Sequence, residues 1–292
     1  MKKAHHREHL LLLLLFVLAA AGIWMENKAQ TAAAAEEMIL LPIAMYHSVT
    51  DEGDSPSTYV ISPKRLEEDL NYLLQNGFET VTIDDLLAYV QQGKALPEKP
   101  VMLTFDDGYY NNYKYAYPLL KKYHMKAILS PVGKLTEQFT ETNDPKEHET
   151  WSYCTGTELK EMADSGVIEL QNHSYDFHEL SGRKGCLRKQ GESQEAYKKL
   201  FLEDTQRAQQ IFVSLEIAQP TCYTYPYGAR NQETDTLVEE CGFAASFGCE
   251  EGIQVIKRDR HSLTNMRRYN RDGRLSSEQF WKNLLKQTEE AG

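Results

Sequence analysis

The stretch PVMLTFDDGYYN, residues 100–111, decides the fold. Residues 100–105 read as a continuous apolar strand, and the next residues are two carboxylates, Asp106 and Asp107, followed by Gly108, which permits a tight turn. Side chains alternate along extended chain, so neighbouring aspartates point different ways and can hold different roles, one on a metal and one on a proton. Taken alone, Asp-Asp-Gly is equally the sequence of a solvated turn.

Toward the C-terminus, the pattern predicts a helix over 113–124, a strand over 126–131, and a polar surface loop over 136–150. A helix over 157–165 closes at Gly166, and a strand follows over 167–172. A Gly-rich polar insert covers 181–193. Beyond it come a helix over 194–215, a strand over 221–226, a helix over 234–241 closed by Gly242, and a strand over 243–248. Toward the N-terminus, LLPIAMYHSV (40–49) reads as a short buried strand that starts after Pro42 and ends at Tyr46 and His47. Leu66, Leu70, Leu73 and Leu74 place a helix over 63–76, then 78–83 alternates as a strand and 84–92 is helical up to Gly93. Strands alternating with helices imply βα units and a mostly parallel sheet. There are about seven strands and no G-x-G-x-x-G turn, which favours an α/β barrel over a nucleotide-binding open sheet.

The 292 residues carry a net charge of −11, which argues against nucleic acid or an anionic membrane surface as the main partner. Lys2, Lys3 and Arg7 precede an uncharged apolar run over 10–25, and small residues follow over 31–35, the pattern of an export signal. Residues 1–36 are therefore expected to be a signal peptide cleaved near Ala32 to Ala35, or an uncleaved anchor and the only membrane contact. The remainder, 37–292, forms one domain with its C-terminal extension. The five cysteines are odd in number and form no Cys-x-x-Cys, so they read mainly as small buried side chains, with one bridge allowed.

The polar residues that stand out each follow a strand: His47, then Asp106 with Asp107, then His173, then Tyr225, Pro226, Tyr227 and Gly228. In a parallel barrel all strand C-termini open on one face, where active sites are built. His173 and His178 are five apart, about 140° around a helix, so as a pair of ligands they belong on a loop that curls back. Each histidine alone reads as an ordinary surface or core residue. Two histidines and one carboxylate make a three-ligand catalytic zinc set that leaves a position for water, and cobalt, nickel or iron suit the same donors.

Together MYHSV (45–49), TFDDGYYN (104–111), HSYDFH (173–178) and YPYG (225–228) resemble the polysaccharide deacetylases of the NodB-homology family, carbohydrate esterase family four. They are similar to the circularly permuted branch, whose catalytic histidine comes from an N-terminal Tyr-His strand end. The resemblance spans residues 40–248 and implies a distorted (β/α) TIM-like barrel, a divalent metal, and removal of acetyl groups from N-acetylglucosamine units; with the export segment, the polymer is expected outside the cytoplasm. It makes Asp106 the base, Asp107, His173 and His178 the metal ligands, and His47 the general acid. The Tyr227 N–H, with Pro226 and Tyr225 beside it, becomes the oxyanion and substrate element.

There are departures. Thr224 stands where many members place an arginine that pairs with the base. Arg267 and Arg268 in MRRYNRDG (266–273) could serve a late arginine position, although the cluster reads first as solvated. Tyr109, Tyr110, Tyr113, Tyr175 and Tyr223 also gather near the motifs, suited to sugar stacking or to plain packing. Two other functions stay open: a carbohydrate-binding protein on the same fold, and a metal phosphohydrolase, weakened by the lack of a phosphate-cradling loop.

Overall fold

Seven parallel strands form the centre of the molecule: β1 (Ile43–Tyr46), β2 (Pro100–Asp107), β3 (Ala127–Pro131), β4 (Ile168–Leu170), β5 (Cys222–Thr224), β6 (Ala245–Phe247) and β7 (Tyr269–Asn270). The structure is a computed structural model and describes residues 38–51, 56–142 and 150–291. The export segment expected over 1–36 lies outside these residues, as do 52–55 and residues 143–149 of the loop expected over 136–150. No helix among the described residues is long and apolar enough to cross a membrane.

One ladder runs β7-β1-β2-β3-β4, and β5 pairs with β6. Single bridges join the two pieces. At one joint, Thr224 N–H donates to Asn172 O at 2.8 Å and Asn172 N–H to Cys222 O at 3.2 Å. At the other, Met266 N–H donates to Ser246 O at 2.7 Å and Gly248 N–H to Met266 O at 3.0 Å. The ring is therefore a distorted barrel of seven strands; six of them are strands the sequence predicts, whereas 78–83 lies off the ring and β7 takes the seventh place.

β2 is buried at all eight positions, as expected of a parallel strand covered on both faces. Val101, Leu103 and Phe105 pack outward with Leu66, Leu70 and Leu73 of the helix Pro63–Gln75. Thr104 and Asp106 fall on the inner face by alternation. Ser62 caps that outer helix through the Arg65 N–H at 3.1 Å, so the layer backing β1 and β2 starts at a defined residue.

Four expectations are corrected. The strand over 78–83 is only Glu79–Thr80, because Thr82 turns to cap the helix Ile83–Gln92 together with Asp85. The polar loop over 136–150 instead begins as a helix, Gly133–Thr142, whose narrow apolar stripe, Leu135 and Phe139, is hidden among polar residues. The helix over 113–124 opens with a π turn, Asn112–Ala116, just ahead of Pro118, which has no N–H to continue the α ladder. The last strand of the ring is β7 and not the one expected over 243–248, and the extension past Gly248 also carries strand Gln254–Ile256 and helix Ser277–Ala291.

Candidate active site

The strand C-termini open into a cleft of about 1150 Å³ lined by His47, Asp106, Asp107, Tyr109, His173, His178 and Tyr227, with Tyr59, Trp151 and Leu180 at its edge. Residues 57–59, and Thr150 at the end of the loop expected over 136–150, also line it.

Asp106 ends the inner row of β2 and is 2 % exposed. Alternation would send Asp107 outward, but its backbone turns left-handed at φ 72°, and both carboxylates line the cleft. Gly108 has to be glycine, because a Cβ there would lie 2.8 Å from Pro131 Cβ. Tyr227 is the other non-glycine residue of the cleft with positive φ, 58°. Two such residues in one site mark local strain held by the surrounding fold.

Asp107 Oδ1 lies 3.3 Å from His173 Nε2 and 3.0 Å from His178 Nε2. The far nitrogens are engaged as well: His173 Nδ1–H donates to Thr224 O at 2.9 Å, and His178 Nδ1 lies 3.2 Å from the Tyr227 hydroxyl. These partners turn both Nε2 atoms to Asp107, as outer contacts do for metal-binding histidines. The loop between the histidines curls because Asp204, on the helix Gln194–Ser214, accepts the N–H groups of Tyr175 at 2.9 Å and Asp176 at 2.7 Å. Burial pushes Asp107 up, but hydrogen bonds from the two histidines overcome it and hold the carboxyl well below its ordinary value. One donor atom from each of Asp107, His173 and His178 lies within 4.8 Å of the other two, a donor set and spacing that fit a divalent cation.

Asp106 faces a different partner. Arg268 Nη1 donates to Asp106 Oδ1 at 2.7 Å and Nη2 to Oδ2 at 2.8 Å, while Nε donates to Gly248 O at 2.9 Å and Nη1 also reaches Thr104 Oγ1 at 3.1 Å. Burial raises Asp106, yet the Arg268 charge and the His173 charge outweigh it, and the net shift is downward. Arg268 is 0 % exposed and lies over the Phe247 ring. The expectation of a solvated basic cluster is thus corrected: Arg267 is exposed, but Arg268 is buried and is the residue that pairs with Asp106, while position 224 does not. Thr224 bonds Ser130 Oγ at 2.8 Å instead. Both arginines precede β7, and nothing in the local pattern tells them apart; the contact with Asp106 does.

His47 follows β1 and lies edge-on to Tyr59, ring centroids 4.9 Å apart. Burial lowers its pKa against the pull of Asp106 and Asp107. Tyr225 and Pro226 do not line the cleft. The Tyr225 hydroxyl donates to Asp235 at 2.8 Å, away from the site, and Pro226 is buried. Only Tyr227 of the YPYG segment meets the cleft. Tyr109 stacks on Tyr153 at 5.0 Å beside Asp107.

The family model for polysaccharide deacetylase matches residues 93–246. YxkH of Bacillus subtilis (strain 168), named for the polysaccharide deacetylases, is 32% identical over 232 residues, which cover 80% of this chain and 72% of that protein. The poly-β-1,6-N-acetyl-D-glucosamine N-deacetylase of Escherichia coli (strain K12) is 25% identical over 230 residues, 71% of this chain but 34% of that enzyme. A solved de-N-acetylase from Aggregatibacter actinomycetemcomitans is similar in fold, with TM-score 0.71 and 23% identity over 85% of this chain and 100% of that one.

Proposed function

Because the chain belongs to the polysaccharide deacetylase family, we propose that it is a metal-dependent hydrolase removing acetyl groups from N-acetylglucosamine units of an extracellular or cell-wall polysaccharide. The observation that carries this reading is the division of labour between adjacent carboxylates, Asp107 toward His173 and His178, and Asp106 toward Arg268.

Asp107, His173 and His178 would hold the ion, zinc by preference for two imidazoles and a carboxylate, with cobalt, nickel or iron also suited to them. A divalent ion there supplies polarisation of the acetamide carbonyl and a lowered pKa for a nearby water. Asp106, kept ionised by Arg268, accepts the proton of the attacking water. The Tyr227 backbone N–H, in the first turn of a 3-10 segment where such donors are unspent, steadies the developing oxyanion. His47 delivers a proton to the leaving amine, so the C–N bond breaks to give acetate and a free amino group.

Trp151, Tyr59 and Tyr227 are 74 %, 56 % and 40 % exposed at the cleft, placed to lie against sugar faces. No Lys or Arg is among the described residues lining it. A neutral acetamido sugar suits such a surface better than a phosphate ester does. The E. coli relative's name specifies poly-β-1,6-N-acetyl-D-glucosamine, and a polymer of that class is the substrate proposed here. Residues 1–36 would carry the domain out of the cytoplasm, as a cleaved signal or as an anchor. The test is acetate release from an N-acetylglucosamine oligomer, lost on chelation and restored by zinc or cobalt. No release by the folded, metal-loaded protein from any acetylated glycan would turn the reading to a carbohydrate-binding protein.

A further inference from the structure

Behind the strand ends that carry His47 and Asp106 lies a second carboxylate–arginine pair, outside the cleft. Tyr46 and Phe105, the residues before His47 and Asp106, are cross-strand partners on the outer face, and their rings stack at 4.9 Å and 19°. The Tyr46 hydroxyl donates to Asp69 Oδ2 at 3.1 Å. The same carboxylate is gripped by Arg271, Nε to Oδ2 at 2.7 Å and Nη2 to Oδ1 at 3.0 Å. Arg271 directly follows β7, and its N–H donates to Met45 O at 2.9 Å. Its Nη1 donates to the carbonyls of Asp272 at 2.6 Å and Leu275 at 3.2 Å. Asp69 and Arg271 are 0 % and 1 % exposed.

We propose that Tyr46, Asp69 and Arg271 form a positioning unit for the deacetylation, setting the His47 strand end and the 268–271 segment against Asp106. The proposal rests on the deacetylase reading of the cleft. Two physical arguments and one observation support it. A buried ion pair is a weak source of stability, since desolvation offsets the attraction and apolar residues of similar volume fill such a space as well. What it adds is direction, because a bidentate guanidinium and a hydroxyl hold one carboxylate in one geometry. The pair also sits where direction matters. Arg268 and Arg271 leave opposite faces of one short segment, so the inner arginine grips the base while the outer one, through Asp69, backs the residue before the acid.

The decisive variant replaces the pair by apolar residues, Asp69→Leu with Arg271→Met. A merely structural pair predicts wild-type turnover per folded molecule. A positioning unit predicts unchanged or raised Tm, unchanged zinc affinity, KM within about twofold, and kcat lower by on the order of tenfold to a hundredfold. A crystal structure of this variant should show the His47 ring displaced relative to Asp106. That readout does not depend on substrate, and acetate release by the wild type separately tests the deacetylase reading. Tyr46→Phe removes one hydroxyl contact and should lower kcat severalfold, which decides the matter if the double variant does not fold. Wild-type kcat in either folded variant, or an unmoved His47–Asp106 spacing, overturns the proposal.

Discussion

Arg268→Met removes the guanidinium while keeping most of the side-chain volume, and its cost follows from burial. Arg268 is 0 % and Asp106 2 % exposed, and the two share bonds of 2.7 and 2.8 Å. Leaving one member of such a pair buried alone costs about 3–5 kcal/mol. The pH dependence has a definite sign. The folded pKa of Asp106 is depressed, so its carboxylate contributes stability above the unfolded value of about 3.9 and loses it as pH falls through the folded pKa. Without Arg268, burial acts with less opposition and the folded pKa moves up. The variant's deficit is then largest at neutral pH and shrinks as Asp106 takes up a proton on acidification. Urea unfolding of wild type and variant, each loaded with zinc, at about pH 7.5 and about pH 5 measures both effects. A deficit under ~1 kcal/mol with no pH dependence, the behaviour of an exposed pair, would refute the reasoning.

His178→Ala deletes one of the three donor atoms proposed to hold the ion and should weaken zinc binding by more than about a hundredfold in calorimetry; undiminished affinity would place the ion elsewhere. Trp151→Ala should raise KM about 2- to 12-fold with kcat kept, if stacking on a sugar is worth what an aromatic pair is; an unchanged KM removes Trp151 from the substrate path. Asp204 has its pKa raised to about 6 by burial, against the two N–H groups it accepts. Its contribution is therefore fully present below about pH 4 and is lost as pH rises through about 6, a loss of about 3 kcal/mol that Asp204→Asn should abolish. Unfolding free energies measured across that range, with equal slopes in both proteins, would contradict it.

The parts of the site that could be read from the sequence are those where composition and position coincide. The apolar run 100–105 forms a strand buried on both faces, and whatever follows it lies at the mouth of a parallel barrel. His173, His178 and Asp107 are brought together there because strand ends converge and Asp204 bends the loop between the histidines. Other features depended on contacts distant in the chain. Arg268 meets Asp106 across 162 positions, and nothing local in MRRYNRDG distinguishes a buried arginine from the exposed one beside it. Tyr225 looks like a site residue because of its neighbours, yet its hydroxyl belongs to Asp235. The helix Gly133–Thr142 carries too few apolar residues to announce itself.

The most direct test of the account is acetate release by Asp106→Asn, with zinc content measured on the same sample. The variant should retain zinc, since Asp107, His173 and His178 are untouched, and release no acetate from an N-acetylglucosamine oligomer that the wild type deacetylates. Turnover at the wild-type rate with zinc bound would contradict the assignment of Asp106 as the base.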